Sequence, residues 1–121
     1  VTQLEELRDA VLAFRDARDW AQFHTLKDLV AGLSIEAGEL QELLLWKSKS
    51  EAEHFQKTDG HERLKEELAD CMIFILYIAN HLDVDLADAV YAKLKHNELK
   101  YPADEARGRA DKYTAYQKDE S

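Results

Sequence analysis

Ile35-Glu36-Ala37-Gly38-Glu39-Leu40-Gln41-Glu42-Leu43-Leu44-Leu45-Trp46 is the stretch on which the reading of this chain turns. Its apolar residues recur at helical spacing, and Glu36 and Glu39 stand three apart, so one side of a helix carries both carboxylates. Leu33, Leu40, Leu43, Leu44 and Leu45 around them call for burial. A carboxylate beside a buried stripe is costly unless something pairs with it. A second stretch repeats the step. Glu67 and Asp70 lie three apart in Glu66-Glu67-Leu68-Ala69-Asp70, which runs into the apolar segment Cys71-Met72-Ile73-Phe74-Ile75-Leu76-Tyr77-Ile78-Ala79. Two acidic pairs, each set in an apolar helix, can converge on one cation, and hard oxygen ligands suit Mg²⁺ or Mn²⁺. Taken singly, each carboxylate is better read as a solvated helix residue. The repeated step beside apolar helix is what puts the metal reading on an equal footing. Glu66 is turned about 100° from Glu67. It reads as a ligand of a second ion, as the acceptor of a water proton, or as a solvent-facing residue.

A chain of 121 residues fits one domain spanning 1–121. With 16 Lys and Arg against 25 Asp and Glu, the formal charge is −9. That balance argues against general binding of nucleic acid or anionic membranes, both of which need a basic footprint. A phosphorylated small molecule remains open if a metal offsets the carboxylates. Cys71 is the single cysteine, so no intrachain disulfide forms, and its apolar neighbours make it a core thiol. The N-terminal residues carry no basic-then-apolar pattern, and the longest apolar run falls far short of the ~20 residues that span a bilayer. The expectation is a cytoplasmic protein with no membrane partner.

One proline, Pro102, and few glycines point to an all-α chain. Thr2 with Glu5 is a capping-box pattern, and Leu4, Leu7, Val11 and Phe14 follow at helical spacing, ending near 16–19. Thr25 with Asp28 opens a second helix through Leu29, Leu33, Leu40 and Leu44. Gly32 and Gly38 inside it each cost about 1 kcal/mol relative to Ala, which reads either as close approach by another helix or a ligand or, equally for each one alone, as a tolerated helical glycine. The polar segment 48–60 reads as a loop or a loosely helical connector. Asp59 with Glu62 opens a third helix, apolar all round from Cys71 to Ala79. Such a helix needs cover on every side, so a second subunit is expected. Asp85 with Asp88 opens a fourth, closed by Tyr101-Pro102 because the residue before proline resists helix. A charged tail, 103–121, follows. The architecture expected is a four-helix-bundle-like domain.

Other residues offer chemistry. Lys93, Asn97 and Tyr101 share a helix face and supply a cation, an amide and a phenol, a set suited to phosphate and sugar or to a plain polar surface. Trp20 and Trp46 flank the first acidic pair; burial in the core is the default for both, and a paired slot for a flat ring is the sharper alternative. His24 assists there or caps the turn. A di-iron bundle would need Glu-x-x-His steps on two helices, and the one such step, Glu51 to His54, falls in the connector. No Gly-rich phosphate loop, Ser–His–Asp order or Cys/His zinc spacing occurs.

The ordered set Phe23-His24-x-x-Lys27-Asp28-Leu29, Ile35-Glu36-Ala37-Gly38-Glu39-Leu40, Trp46-Lys47, Glu66-Glu67-Leu68-Ala69-Asp70, Lys93-x-x-x-Asn97 and Tyr101-Pro102 through Gly108 to Lys112-Tyr113 resembles the MazG-like branch of the all-α nucleoside triphosphate pyrophosphohydrolases. Among its subgroups the chain is most similar to the small dCTP-pyrophosphatase type. The resemblance implies hydrolysis of a (d)NTP to monophosphate and pyrophosphate in nucleotide-pool house-cleaning. It implies Mg²⁺ held by Glu36, Glu39, Glu67 and Asp70. It also implies base contacts from Trp20 and Trp46, sugar and phosphate contacts from Lys93, Asn97 and Tyr101, and closure by Lys112 and Tyr113. A homodimer or homotetramer with sites near subunit interfaces is implied too. Phe74 departs from the tyrosine of some relatives, and Glu36 and Glu66 are the candidate catalytic bases. The competing reading is a non-catalytic acidic helical interaction module.

Overall fold

Helix starts in this chain are written in its hydroxyl and carboxylate side chains. The computed structural model describes residues 1–110, and among them the regular elements are all helical. Helix α1 spans Gln3–Ala17, α2 Leu26–Glu42, α3 Lys49–Lys57, α4 Gly60–His81, α5 Leu86–Lys100 and α6 Ala103–Ala106, with a 3₁₀ turn at Ala21–Phe23. Thr2 accepts from the Glu5 amide while Glu5 reaches back to the Thr2 amide, a complete capping box. Thr25 and Asp85 cap α2 and α5 in the same way from one side only, each accepting an amide three residues on. α1 and α4 end with Asp19 and Asp83 in the left-handed region, which Asp tolerates better than most residues.

Two expectations change. Segment 48–60 is not a loose connector: Ser48 and Glu51 form a full capping box with bonds of 3.1 and 3.0 Å, and α3 follows. Its polar composition hid a signal already present in Ser48-x-x-Glu51. Phe55 then anchors α3 over the first turn of α4, where a Cβ at Gly60 would overlap the ring. At α4 the start is placed as expected but for another reason, since Asp59 has helical dihedrals and makes no side-chain cap bond.

By compactness the chain divides into two units, Val1–Val84 and Asp85–Ser121. In the first, α4 is the central element, with α2 as its main partner and α1 and α3 against it as well. α2 and α4 run antiparallel. Gly32 meets Phe74, Glu36 meets Glu67 and Asp70, and Leu40 faces Leu64 and Leu68. Among the described residues the buried core is small: Leu29, Leu43, Leu76 and Tyr77. Tyr77 ties α4 to α1 by donating its hydroxyl to the Val11 carbonyl at 3.0 Å. Most of the apolar run from Cys71 to Ala79 is only half-buried within one chain, and Phe23, Val30, Ile35 and Leu68 are exposed. In the second unit, Asp85 caps α5, whose last amide-to-carbonyl bonds run into Tyr101 just before Pro102.

Candidate metal centre

Midway along the α2–α4 seam, Glu36, Glu67 and Asp70 each offer a carboxylate oxygen within 4.8 Å of the others. Spacing explains this. Glu67 and Asp70 lie one turn apart on α4, and Glu36 lies one turn after Gly32, against which the Phe74 ring of α4 packs. The close approach is possible because a Cβ at Gly32 would overlap the Phe74 ring. Gly38 has no such neighbour, so the expected close approach holds at one glycine and not the other.

The electrostatics are severe. Glu36 Oε2 and Glu67 Oε2 are both shielded from solvent and meet no hydrogen-bond donor among the described residues. Desolvation first, then carboxyl hydrogen bonds with Glu39 and Glu67 and the charges of Glu39 and Asp70, push the Glu36 carboxyl up to about 7. Glu67 is raised too, again mainly by desolvation. Below about pH 7 the Glu36 carboxyl therefore keeps its proton in the metal-free centre. Opposite ligands of an octahedral Mg²⁺ are about 4.2 Å apart, close to the 4.8 Å spread seen here. An all-carboxylate donor set with two unpartnered, shielded oxygens fits a hard divalent cation. Glu39 is exposed and borders the trio rather than joining it, while near enough to act on Glu36 and Glu67. Glu66 faces solvent. Cys71, next to Asp70, has its thiol raised by burial and by the three carboxylates, which keeps it protonated.

A model of the MazG-like family matches residues 32–115. The chain belongs to the MazG-like family. It is 42% identical over 113 residues to dCTP pyrophosphatase 1 of Mus musculus and 41% identical to dCTP pyrophosphatase 1 of Homo sapiens, in both cases over 92% of this chain. It spans 66% of the length of these curated relatives. Among solved structures, a pyrophosphatase from Archaeoglobus fulgidus superposes with a TM-score of 0.78 at 35% identity, covering 84% of this chain and 94% of that one.

The other expected site residues of this MazG-like chain are spread along and beyond the seam. His24 lies one turn past Gly32–Phe74, its ring edge-on to Tyr77 at 4.7 Å, with Nδ1 shielded and unpartnered. Burial first and Arg15 second lower its pKa, so the imidazole is neutral at pH 7. Trp20 belongs to this same end. Its amide bonds to the Arg15 carbonyl, and its ring meets Phe14 at 5.9 Å, with the Arg18 guanidinium 3.7 Å above Phe14. Trp46 lies beyond the opposite end of α2. Core burial, the default for it, does not occur: its ring is 92% exposed and its φ is +69°. The 17 residues of α2 separate the two tryptophans by about 25 Å, so within one chain they do not share a slot. Lys93, Asn97 and Tyr101 follow one another along α5 in the second unit, with Lys93 exposed and Asn97 half-buried. Lys112 and Tyr113 lie outside the described residues. What sequence reasoning missed is the other end of the seam, where Leu40, Leu64 and Leu68 line an open groove together with Lys57, His61 and Lys65. Its signal was the His61-x-x-Leu64-Lys65-x-x-Leu68 face of α4, readable only once α3 is known to bring Lys57 alongside.

Proposed function

We propose that this chain is a divalent-metal-dependent nucleoside triphosphate pyrophosphohydrolase. Its substrate is a (d)NTP, foremost dCTP or a modified dCTP, and its products are the monophosphate and pyrophosphate. The observation that carries the reading is the pair of shielded, donor-less oxygens on Glu36 and Glu67 beside Asp70. The substrate follows from relatives named dCTP pyrophosphatase. A non-catalytic interaction module has no use for carboxylates turned inward against one another at such electrostatic cost.

When bound, Mg²⁺ supplies neutralisation of the phosphate charge and a more acidic water. Glu36, Glu67 and Asp70, with Glu39 at their border, would hold it. The chain's own part in the reaction is proton acceptance. As the water oxygen bonds to phosphorus and the bridging P–O bond between the α- and β-phosphates breaks, Glu36 or the exposed Glu66 takes the water proton. The aromatic end of the seam, with Trp20 and His24, suits the base. A slot that uses both Trp20 and Trp46 takes one ring from each of two copies, given the helix between them. The exposed Phe23, Val30, Ile35 and Leu68 are surface for a second copy to cover, in a homodimer or a dimer of dimers.

The test is pyrophosphate release from a panel of dNTPs with Mg²⁺, Mn²⁺ or EDTA. Release that requires the metal and is fastest with dCTP is expected. No release from any nucleotide sinks the reading. Light scattering at low micromolar concentration reads the assembly, and a fully active monomer rules out the two-copy slot.

A further inference from the structure

Three arginines along α1 and at its C-cap are each followed by an aspartate: Arg8-Asp9, Arg15-Asp16 and Arg18-Asp19. Arg8 bonds Asp9, and Arg15 bonds Asp16. Arg18 does otherwise. Asp19 turns into the left-handed region at a φ of 55°, and its carboxylate accepts the Gln22 side-chain amide at 3.1 Å. Arg18 folds back onto α1 instead. Its Nη1 donates to the Phe14 carbonyl at 2.9 Å, and its guanidinium carbon stands 3.7 Å from the centre of the Phe14 ring. The same carbon is 6.0 Å from the centre of the Trp20 ring, which meets Phe14 edge-to-face at 5.9 Å with 73° between the planes. One cation thus serves two rings that are both nearly half exposed.

We infer that Arg18 is a positioning residue for Trp20: stacked on Phe14 and tied to the Phe14 carbonyl, it fixes the indole in one orientation at the end of α1. The inference rests on the proposed function, in which Trp20 suits the base, and adds what holds that ring in place. The Trp20 backbone is already pinned, since its amide donates to the Arg15 carbonyl at 3.1 Å. Its ring is a separate matter. Among the described residues the ring's aromatic and cationic neighbours are Phe14 and Arg18. A guanidinium is drawn to the face of an aromatic ring, and its planar fork can stack and donate at once, which an ammonium does less well. The Phe14 carbonyl belongs to the last turn of α1, where unpaired carbonyls and the helix dipole favour a cation. Arg18 therefore clamps Phe14, and Phe14 is the wall against which the indole rests. Edge-to-face contact leaves at least one indole face clear of Phe14, and a face is what a base stacks on. A ring ordered beforehand costs less to bind against. Arg18 thus acts on affinity and leaves the chemistry at the carboxylates alone.

The experiment uses the full chain and has two arms. Replacing Trp46 by Phe leaves Trp20 as the single tryptophan, so time-resolved fluorescence anisotropy reads the motion of that ring alone. In this background Arg18→Gln should enlarge the fast, local part of the decay, and Arg18→Lys, which keeps the charge but loses the plane, should fall between Gln and Arg. Circular dichroism should show the same helicity in all three. Phe14→Leu, which removes the shared wall, should loosen Trp20 at least as much. In the second arm, with both tryptophans present, Arg18→Gln should raise KM for dCTP about fivefold, the order expected when one more side chain must be ordered on binding, with kcat within about twofold. A Trp20 decay that Arg18→Gln leaves unchanged overturns the inference, and so does a fall in kcat at constant KM. The arms also separate the two readings. A wild type that releases pyrophosphate from no dNTP discards the hydrolase, while the anisotropy still decides whether Arg18 holds the ring.

Discussion

The centre of the α2–α4 seam and its two ends are built on opposite terms. At the centre, three carboxylates converge within 4.8 Å, shielded and short of donors. All three of these carboxylates come from one chain. At the ends, the groups that would recognise a substrate are exposed and far apart: Trp20 is 45% exposed at one, Trp46 92% exposed at the other. The difference teaches that the candidate cation site is gathered by the fold of a single chain, whereas the two tryptophans are not brought together by it. Substitutions at the centre should therefore remove activity outright, and those at the ends should change affinity alone.

The largest effect is expected at the centre. Glu67→Gln or Asp70→Asn should lower turnover by on the order of 10²–10³-fold and abolish the rise in Tm on adding Mg²⁺. Without metal the same variants should melt higher than wild type, because each removes one of several carboxylates that repel one another. A variant that keeps turnover and the Mg²⁺-dependent rise in Tm would move the metal elsewhere.

Next comes pH. The Glu36 carboxyl, ordinarily at 4.5, is held at about 7 in the metal-free protein. Between those values the folded chain keeps a proton that the unfolded chain has lost, so metal-free stability falls as pH rises through this window. Metal binding must expel that proton. The apparent Mg²⁺ affinity therefore rises by up to about tenfold per pH unit below 7 and levels off above it. Calorimetry at pH 6, 7 and 8 in buffers of different ionisation enthalpy checks both the slope and the released proton. An affinity flat from pH 6 to 8 would leave Glu36 outside the metal's ligands.

A smaller effect is expected where centre and aromatic end join. Gly32→Ala drives a Cβ into the Phe74 ring and should destabilise the fold by about 1–3 kcal/mol, the usual cost of overpacking. Adding Phe74→Leu to Gly32→Ala should recover most of the loss. Urea unfolding of the single and double variants measures it. Additive losses would mean that the ring does not sit in the Gly32 notch.

How much of the molecule is legible in its sequence follows from what kind of signal each part carries. Thr2, Thr25 and Asp85 announce three helices because capping is local and written in adjacent residues. Glu36, Glu67 and Asp70 are legible because an acidic step set against apolar helix is costly to fold, and its repetition points to a shared cation that offsets the cost. Helix α3 is harder to see although Ser48 and Glu51 form a capping box, since the polar composition of the segment masks the cap. The separation of Trp46 from Trp20 is hidden because flanking in sequence says nothing of distance across a 17-residue helix. The groove at Lys57, His61 and Lys65 depends on how α3 returns to α4, a tertiary fact with no local pattern.

The smallest expected change lies at the most exposed of the site residues, and it bears hardest on the contrast between centre and ends. Trp46 holds φ at +69°, a region that L side chains enter at a cost of about 1–2 kcal/mol and that glycine enters freely. Its ring recovers little of that by packing, being 92% exposed. A tryptophan that is strained and unburied adds little to the stability of its own chain, and the proposed use in contact with a second molecule can be tested on it. Trp46→Gly should relieve the strain. Against the greater freedom of glycine in the unfolded chain, the net should be a gain of about 0.5 kcal/mol, read as a slight rise in the urea midpoint. The same variant should raise KM for dCTP about tenfold, in line with the loss of one aromatic stack, and leave kcat nearly unchanged because the carboxylate centre is untouched. A loss of stability instead would show that the ring packs against its own chain. An unchanged KM would leave base recognition to Trp20 and His24 alone, and the two ends of the seam would then differ in purpose as well as in exposure.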